Sequence, residues 1–369
     1  MPMQRAQLFV SRTDMSRFFS SKYSNLEAYT PGEQPRDMKY IKLNTNESPY
    51  PPSKRVVDAI SSDEVKRLNL YSDPTCRALK SAIADLYGVE YENVFVSNGS
   101  DDILNFSFMA FCEGDKRGVK FPAISYGFYS VYAELHGASY KAIPLKDDFS
   151  IDIDDYMGND ANVVIANPNA PTGLALTRDE VECIVKANPD YLVLIDEAYV
   201  DFGGESVIEL TKKYSNLLVV CTFSKSRSLA GARLGFAIGD REIIADLEKI
   251  KYSTNPYNIN RLSLIAGENA ILDNGYYMDN CKKIIATREY TQNKLKELGF
   301  DVTDSKANFI FAKSDKIGGK ELYLRLRERG ILVRHFDKEI IKDYNRITVG
   351  TQEEMETLIS VITEILKEL

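Results

Sequence analysis

The sequence predicts an α/β fold, with a doubly wound, mostly parallel sheet in a large domain and a smaller α+β domain. Between about residues 75 and 240, short and nearly continuous apolar runs alternate with longer helical patterns, as in parallel strands that are covered on both faces. After Pro256, long helical patterns come first and further strand candidates follow. We expect a tail or leader over 1–22, a small domain over 23–50 plus 256–369, and a large ligand-binding domain over 51–255.

Individual elements can be predicted from this pattern. Thr177–Ala187 is expected to be a helix, with Thr177 as N-cap and Glu180 three residues later in a capping box. Met355 begins an apolar repeat with helical spacing that continues to Leu369 and predicts a packing face. The strand candidates are Val94–Ser97, Val163–Ala166, Leu192–Asp196, Leu217–Cys221, Asn308–Ala312 and Arg346–Val349.

Composition and charge argue against several classes of function. The net charge of −8 and the lack of a basic block disfavour nucleic-acid binding, because phosphate neutralisation needs clustered Lys and Arg. No apolar run is long enough to span a membrane. Five scattered cysteines without a CxxC pair, and only two histidines, predict neither a disulfide framework nor a metal site and favour a cytoplasmic protein.

Lys225 follows the apolar run Leu217–Cys221, so we expect it at the mouth of the sheet and partly removed from water. Burial lowers the pKa of a lysine and favours the neutral amine that forms imines. Thr222, Ser224 and Arg233 add two hydroxyls and a guanidinium, a set that suits a phosphate group. The alternative is a solvated lysine in a serine-rich loop.

Asp196 ends the preceding apolar run, where an ionised carboxylate is costly unless it meets a positive partner. A protonated pyridine nitrogen is such a partner. Tyr199, three residues later, is placed to hydrogen-bond a ring hydroxyl. The other interpretation of Asp196 is a helix-capping residue, which is common after strands.

Two further loops follow predicted strands, at the sheet edge where ligands bind in doubly wound folds. Ser97–Asp102 has small residues where a helix begins, so its backbone N–H groups can bind an anion; the same pattern is also that of an ordinary N-cap. Asn167–Gly173 contains two prolines and a glycine, which fix a tight loop, and a plain connection is the alternative.

Together, these motifs resemble the fold-type I aminotransferases, and within them the histidinol-phosphate aminotransferase family. The resemblance runs from about Tyr29 to the C-terminus, and the order and spacing of the motifs match. It implies pyridoxal 5′-phosphate as cofactor, bound in the large domain, and a homodimer with shared active sites. The segments that carry it are Leu43–Tyr50, Ser97–Asp101, Asp196–Tyr199, Thr222–Arg233 and Arg346–Thr351.

The resemblance also implies the roles of residues around the cofactor. Lys225 forms a Schiff base with it and later moves a proton. Asp196 pairs with the pyridinium nitrogen, Tyr199 contacts the ring hydroxyl and Tyr126 stacks on the ring. The other cofactor contacts implied are Gly99, Ser100, Asp101, Asn167, Thr222, Ser224, Arg233 and Tyr71 of the partner subunit.

Four residues are implied for the substrate. Arg346 binds an α-carboxylate. Tyr29, Asn308 and Arg334 lie where the family places the rest of the substrate, with Arg334 as the candidate for its phosphate.

The sequence departs from the family at two places. Ala170 stands immediately before Pro-Thr-Gly, where the family usually has an Asn that contacts the ring hydroxyl. Either Tyr199 with water supplies this contact, or Asn167 supplies it from nearby. Ser226 and Arg227 follow the lysine, where the family tends to have Ala and an aromatic residue.

The function implied is transamination between histidinol phosphate and 2-oxoglutarate, a step of histidine biosynthesis. An aromatic aminotransferase and a threonine-phosphate decarboxylase of the same fold stay open, and carbon dioxide release would identify the latter. A cofactor-sensing regulatory module is usually fused to a DNA-binding domain, and no helix-turn-helix segment is visible here. A nicotinamide-dependent dehydrogenase would need a GxGxxG after a strand, which the sequence lacks.

Overall fold

The computed structural model describes residues 16, 18–23, 26–27, 29, 31–35 and 37–369, so most of the predicted tail over 1–22 lies outside the described residues. The strands within this part of the chain are β1 (Ile41–Lys42), β2 (Val94–Ser97), β3 (Val119–Pro122), β4 (Tyr140–Ile143), β5 (Asn162–Ala166), β6 (Val193–Asp196), β7 (Leu217–Thr222), β8 (Gly235–Gly239), β9 (Phe300–Val302), β10 (Phe309–Ser314), β11 (Ile331–Leu332), β12 (Arg334–His335) and β13 (Asn345–Thr348). The helices are α1 (Lys54–Ala59), α2 (Ser62–Val65), α3 (Arg77–Tyr87), α4 (Ser100–Phe111), α5 (Phe128–His136), α6 (Arg178–Ala187), α7 (Arg241–Thr254), α8 (Arg261–Leu272), α9 (Asn274–Glu297), α10 (Gly319–Glu328) and α11 (Gln352–Lys367).

A seven-stranded sheet with the order β2-β8-β7-β6-β5-β3-β4 forms the centre of the larger part of the chain. The pairs β7–β6, β6–β5, β5–β3 and β3–β4 are parallel, whereas β8 is antiparallel to both of its neighbours. The predicted doubly wound, mostly parallel sheet is therefore confirmed. The four apolar runs that predicted strands in this region correspond to β2, β5, β6 and β7.

The continuous hydrophobicity of these strands follows from burial on both faces. Every residue of β5, β6 and β7 is buried. Val163 and Ile165 pack into the core on one side of the sheet, and Val164 and Ala166 pack into the core on the other. Successive side chains of a strand point to opposite faces, so a strand with a core on each side needs apolar residues throughout.

Local hydrogen bonding fixes the helix that follows β5. The Thr177 hydroxyl accepts from the Glu180 backbone N–H at 3.3 Å, and the Glu180 carboxylate accepts from the Thr177 backbone N–H at 2.7 Å. This reciprocal pair is the predicted capping box at the start of α6. None of the described helices is both long and apolar enough to cross a membrane.

A second, antiparallel sheet with the order β12-β13-β10-β9 lies in the C-terminal part of the chain. Its core includes Ile310, Ile347 and residues of α11 such as Leu358, and Leu43 joins it from the N-terminal segment. Residues of β1 pair in parallel with β11, which ties that segment to the C-terminal part. Helix α8 packs instead in the core of the large sheet, and the domain boundary at residue 256 stays a prediction.

Candidate active site

A cavity of about 360 Å³ opens where β5, β6 and β7 end. Ala166, Asp196 and Thr222 are the last residues of these three strands, and all of them line the cavity. The predicted site residues that line it are Ser100, Asp101, Tyr126, Asp196, Tyr199, Thr222, Ser224, Lys225 and Arg233. Parallel strands therefore bring together residues that lie more than a hundred positions apart in the chain.

Lys225 projects from the loop after β7, and its surroundings favour the neutral amine. Its Nζ donates a hydrogen bond to the Thr45 carbonyl oxygen at 3.2 Å and lies 5.8 Å from the centre of the Tyr199 ring. Burial and then the positive charge of Arg346 lower the pKa of Lys225 to about 8, against the opposing charge of Glu47. A lysine with this pKa supplies the uncharged amine needed for imine chemistry near neutral pH.

Asp196 is a buried carboxylate that faces the cavity. It accepts hydrogen bonds from the Tyr129 hydroxyl at 3.0 Å and from the Ala198 backbone N–H at 3.2 Å. These bonds lower the pKa of Asp196, but burial outweighs them and raises it to about 6. A carboxylate that is desolvated to this extent is stabilised by a cation placed in the cavity, and a protonated pyridine nitrogen fits that requirement.

Tyr129 contacts a candidate site residue, Asp196, and was not predicted from the sequence. It lies in α5, three residues after the predicted Tyr126, which precedes the helix, and the two rings pack edge to face with their centres 5.7 Å apart. The only sequence signal for Tyr129 was a second tyrosine close to the predicted Tyr126. Its partner Asp196 is 67 residues away, and no local pattern indicates that contact.

Arg233 lies against the N-terminus of α4. A guanidinium nitrogen of Arg233 is 2.7 Å from the Asp101 carboxylate, and a second one is 3.4 Å from the Ser224 hydroxyl. A Cβ atom at Gly99 would come within 2.8 Å of the guanidinium, and Gly99 has a φ of +91°, so this position requires glycine. The free N–H groups of a helix start, a guanidinium and two hydroxyls fit the phosphate of a cofactor.

Tyr126 and Tyr199 line the cavity with aromatic rings. The Tyr126 hydroxyl donates to the Asp101 carboxylate at 2.6 Å, and burial together with Asp101 raises the pKa of Tyr126. The Tyr199 hydroxyl accepts a hydrogen bond from the Asn46 side-chain amide at 3.0 Å. Asn46 follows Thr45, which lines the cavity together with Glu47, and the sequence analysis gave none of the three a role.

Arg346 and Arg334 are directly opposite each other on the antiparallel strands β13 and β12, so their side chains lie on the same face. Their guanidinium carbons lie 5.7 and 5.6 Å from the centre of the Phe336 ring. Burial and the neighbouring Arg334 charge lower the pKa of Arg346. Two guanidinium groups in this arrangement attract an anion between or beside them.

The other two predicted substrate residues are Tyr29 and Asn308, and each contacts a different part of the site. Tyr29 stacks on Phe128 at 4.2 Å and lies 6.2 Å from the Tyr126 ring. The Asn308 amide donates to the Asn46 carbonyl oxygen at 3.1 Å. Within the described residues, Asn308 Oδ1 and Arg346 Nε are buried without a hydrogen-bond partner, so both atoms remain available to a ligand.

Three predicted cofactor residues, Gly99, Tyr71 and Asn167, are not among the residues that line this cavity. Tyr71 is 80% exposed and stacks on Tyr257 at 4.4 Å. The Asn167 side chain bonds both ways to the Leu176 backbone, at 2.8 and 3.1 Å, and thereby closes its own loop. These bonds use Asn167 Oδ1 and one of the two N–H groups of its amide, and whether Asn167 or Tyr199 with water supplies the contact missing at Ala170 stays a prediction.

Comparisons with known proteins agree with this geometry. The family model for class I and II aminotransferases matches residues 38–362. A histidinol-phosphate aminotransferase of Brachyspira hyodysenteriae is 56% identical, over 96% of this chain and 100% of the relative. One of Clostridium acetobutylicum is 48% identical, over 95% of this chain and 99% of the relative. The crystal structure of the Sinorhizobium meliloti histidinol-phosphate aminotransferase with pyridoxal 5′-phosphate has the same fold, with a TM-score of 0.86, 23% identity, and coverage of 96% of this chain and 99% of that one.

Proposed function

The chain belongs to the class I and II aminotransferases, and from this premise we propose that it transfers the amino group of histidinol phosphate to 2-oxoglutarate with pyridoxal 5′-phosphate bound at Lys225. The proposal is supported by relatives of that activity at 46–56% identity over nearly the whole chain. The single observation that carries it is a lysine with a pKa of about 8 in the same cavity as a buried carboxylate and a guanidinium beside a helix start. These three groups match the aldehyde, the pyridine nitrogen and the phosphate of the cofactor.

When bound, pyridoxal 5′-phosphate supplies an electron sink for negative charge at the substrate carbon that loses a proton. Asp196 holds the ring nitrogen protonated, since a buried carboxylate is stabilised by a positive partner. Lys225 would be the base: because its pKa is lowered, its amine can accept the proton from that carbon near neutral pH and would deliver it to the carbon of the cofactor's aldehyde group. Arg233, Ser224, Thr222 and the start of α4 hold the phosphate group.

Arg346 and Arg334 divide the recognition of the two substrates. 2-Oxoglutarate carries an α-carboxylate, which we assign to Arg346 because its Nε has no partner among the described residues. Histidinol phosphate has a phosphate and no carboxylate, and we assign its phosphate to Arg334 with Tyr29 nearby. Burial raises the pKa of Tyr29, and the nearby positive charges of Arg334 and Arg346 oppose that rise.

The proposal includes a homodimer with shared active sites in the cytoplasm. Tyr71 supports the shared site, since its ring is exposed and lies outside the cavity of its own chain. The five cysteines are free thiols, as expected in a reducing compartment. Cell fractionation tests the compartment: recovery of the protein in the extracellular or periplasmic fraction contradicts it.

A panel of amino donors with 2-oxoglutarate tests the proposed reaction. The donors are histidinol phosphate, unphosphorylated histidinol, phenylalanine, tyrosine and threonine phosphate, with glutamate and carbon dioxide measured in each reaction. We expect the highest kcat/KM for histidinol phosphate, with histidinol as the matched control for the phosphate. An equal or higher kcat/KM for the aromatic amino acids would make the enzyme an aromatic aminotransferase, and carbon dioxide from threonine phosphate would make it a decarboxylase.

A further inference from the structure

The segment Asn44–Asn46 contacts three of the residues to which we assign catalysis or substrate binding. The Asn44 carbonyl oxygen accepts a hydrogen bond from Arg346 at 3.2 Å. The Thr45 carbonyl oxygen accepts from Lys225 at 3.2 Å, and the Asn46 carbonyl oxygen accepts from Asn308 at 3.1 Å. Three successive carbonyl groups therefore bind residues from both parts of the chain: Lys225 from the loop after β7, Asn308 directly before β10, and Arg346 in β13.

Asn46 has a backbone conformation that suits Asn, with a φ of +57° in the left-handed region. Its side chain is buried, and the orientation of its amide is fixed by Thr348. The Thr348 hydroxyl oxygen accepts from the Asn46 backbone N–H at 2.9 Å. The same hydroxyl then has its own proton to give, and it donates this proton to Asn46 Oδ1 at 3.1 Å.

This arrangement leaves the amide nitrogen of Asn46 facing Tyr199. Asn46 Nδ2 donates to the Tyr199 hydroxyl oxygen at 3.0 Å. A phenol oxygen that accepts an N–H from one side must direct its own O–H elsewhere. Tyr199 and Ala170 both line the cavity. The methyl side chain of Ala170 cannot accept a hydrogen bond, so it does not compete for the Tyr199 O–H.

We propose that Asn46 is a positioning residue that directs the Tyr199 O–H into the cavity, where it donates to the ring oxygen of the bound cofactor. This inference rests on the proposed function in one respect, the binding of pyridoxal 5′-phosphate at Lys225. Asn46 itself acts only through Tyr199. The hydrogen bond from Tyr199 stabilises the ionised ring oxygen, and so it favours loss of the proton from the lysine-bound cofactor at lower pH.

The test is a pH titration of the visible absorption band of the holoenzyme, in the wild type and in two variants. Asn46→Gly removes the amide and tolerates the left-handed conformation. Asn46→Asp keeps the size and that conformation, but its carboxylate accepts the Tyr199 proton and turns it away from the cavity. We expect the midpoint to rise by about half to one pH unit in Asn46→Gly, and further in Asn46→Asp, from the usual contribution of one hydrogen bond.

Two comparisons separate positioning from a general structural effect. In a Tyr199→Phe background, Asn46→Gly should cause no additional shift, because the group through which Asn46 acts is gone. Asn159→Gly is the matched control: Asn159 also has a left-handed backbone, with a φ of +45°, and bonds Asn188 and Asp190 away from the cavity. Its titration should equal that of the wild type.

A midpoint equal to that of the wild type in both Asn46 variants overturns the proposal, even where their apoproteins melt at a lower temperature. The same holds for an undiminished shift in the Tyr199→Phe background. If the Asn46 variants do not bind cofactor, Thr348→Val replaces them. It frees the amide to rotate and should raise the midpoint in the same direction by a smaller amount, and an unchanged midpoint again overturns the proposal. A wild-type protein that shows no visible band with pyridoxal 5′-phosphate instead contradicts the proposed function itself.

Discussion

Replacing Asp196 by Asn should stabilise the apoprotein, by an amount that depends on pH. Burial raises the pKa of Asp196 from 3.8 to about 6, a shift of about two units, and each unit corresponds to about 1.4 kcal/mol. Because the folded-state pKa is raised, ionisation of Asp196 destabilises the folded protein. That cost is absent below about pH 4 and fully present above about pH 6. Relative to Asp196→Asn, the wild-type free energy of unfolding should therefore fall by about 3 kcal/mol between these values.

Urea unfolding of both apoproteins between pH 4 and pH 7.5 measures this difference. A difference that stays constant across the range, or that changes in favour of the wild type as the pH rises, refutes the reasoning about burial. Tyr129→Phe provides a second check, because its hydroxyl lowers the pKa of Asp196, so the transition should move to higher pH in that variant. In the holoenzyme the effect of Asp196→Asn on the free energy of unfolding should reverse, since the pyridinium pairs with the carboxylate of the wild type. Asp196→Asn should also lose most of its transamination while it retains some cofactor binding.

Three further predictions follow from the site. Lys225→Ala should lose the visible band of the bound cofactor and at least ~10²–10⁴-fold in turnover, and an unchanged spectrum would show that another residue holds the cofactor. Arg334→Ala should lower kcat/KM for histidinol phosphate at least ~10-fold more than for unphosphorylated donors, whereas Arg346→Ala should weaken 2-oxoglutarate strongly. An equal loss for both donor types in Arg334→Ala would exclude a phosphate contact. Light scattering should find at least a dimer under assay conditions, since Tyr71 is expected in the neighbouring site, and a fully active monomer rules this out.

Much of the fold was determined by local sequence patterns. Apolar runs bounded by polar residues predicted β2, β5, β6 and β7 within one or two residues, because strands buried on both faces require apolar side chains at every position. The capping box at Thr177 predicted the start of α6, since all of its hydrogen bonds lie within four residues. The same patterns put Asp196 and Lys225 after strands, and hence at one edge of the sheet.

Only the tertiary structure decided how the site residues are paired and how far they are desolvated. Tyr129 meets Asp196 across 67 residues, and Lys225 meets the Thr45 carbonyl across 180 residues. Asn167 bonds the Leu176 backbone through both Oδ1 and Nδ2, across nine residues of its own loop. Hydrogen-bond partners and pKa shifts depend on every group packed around a side chain. Strand order and the paths of the loops determine which groups these are, and a local sequence pattern does not contain that information.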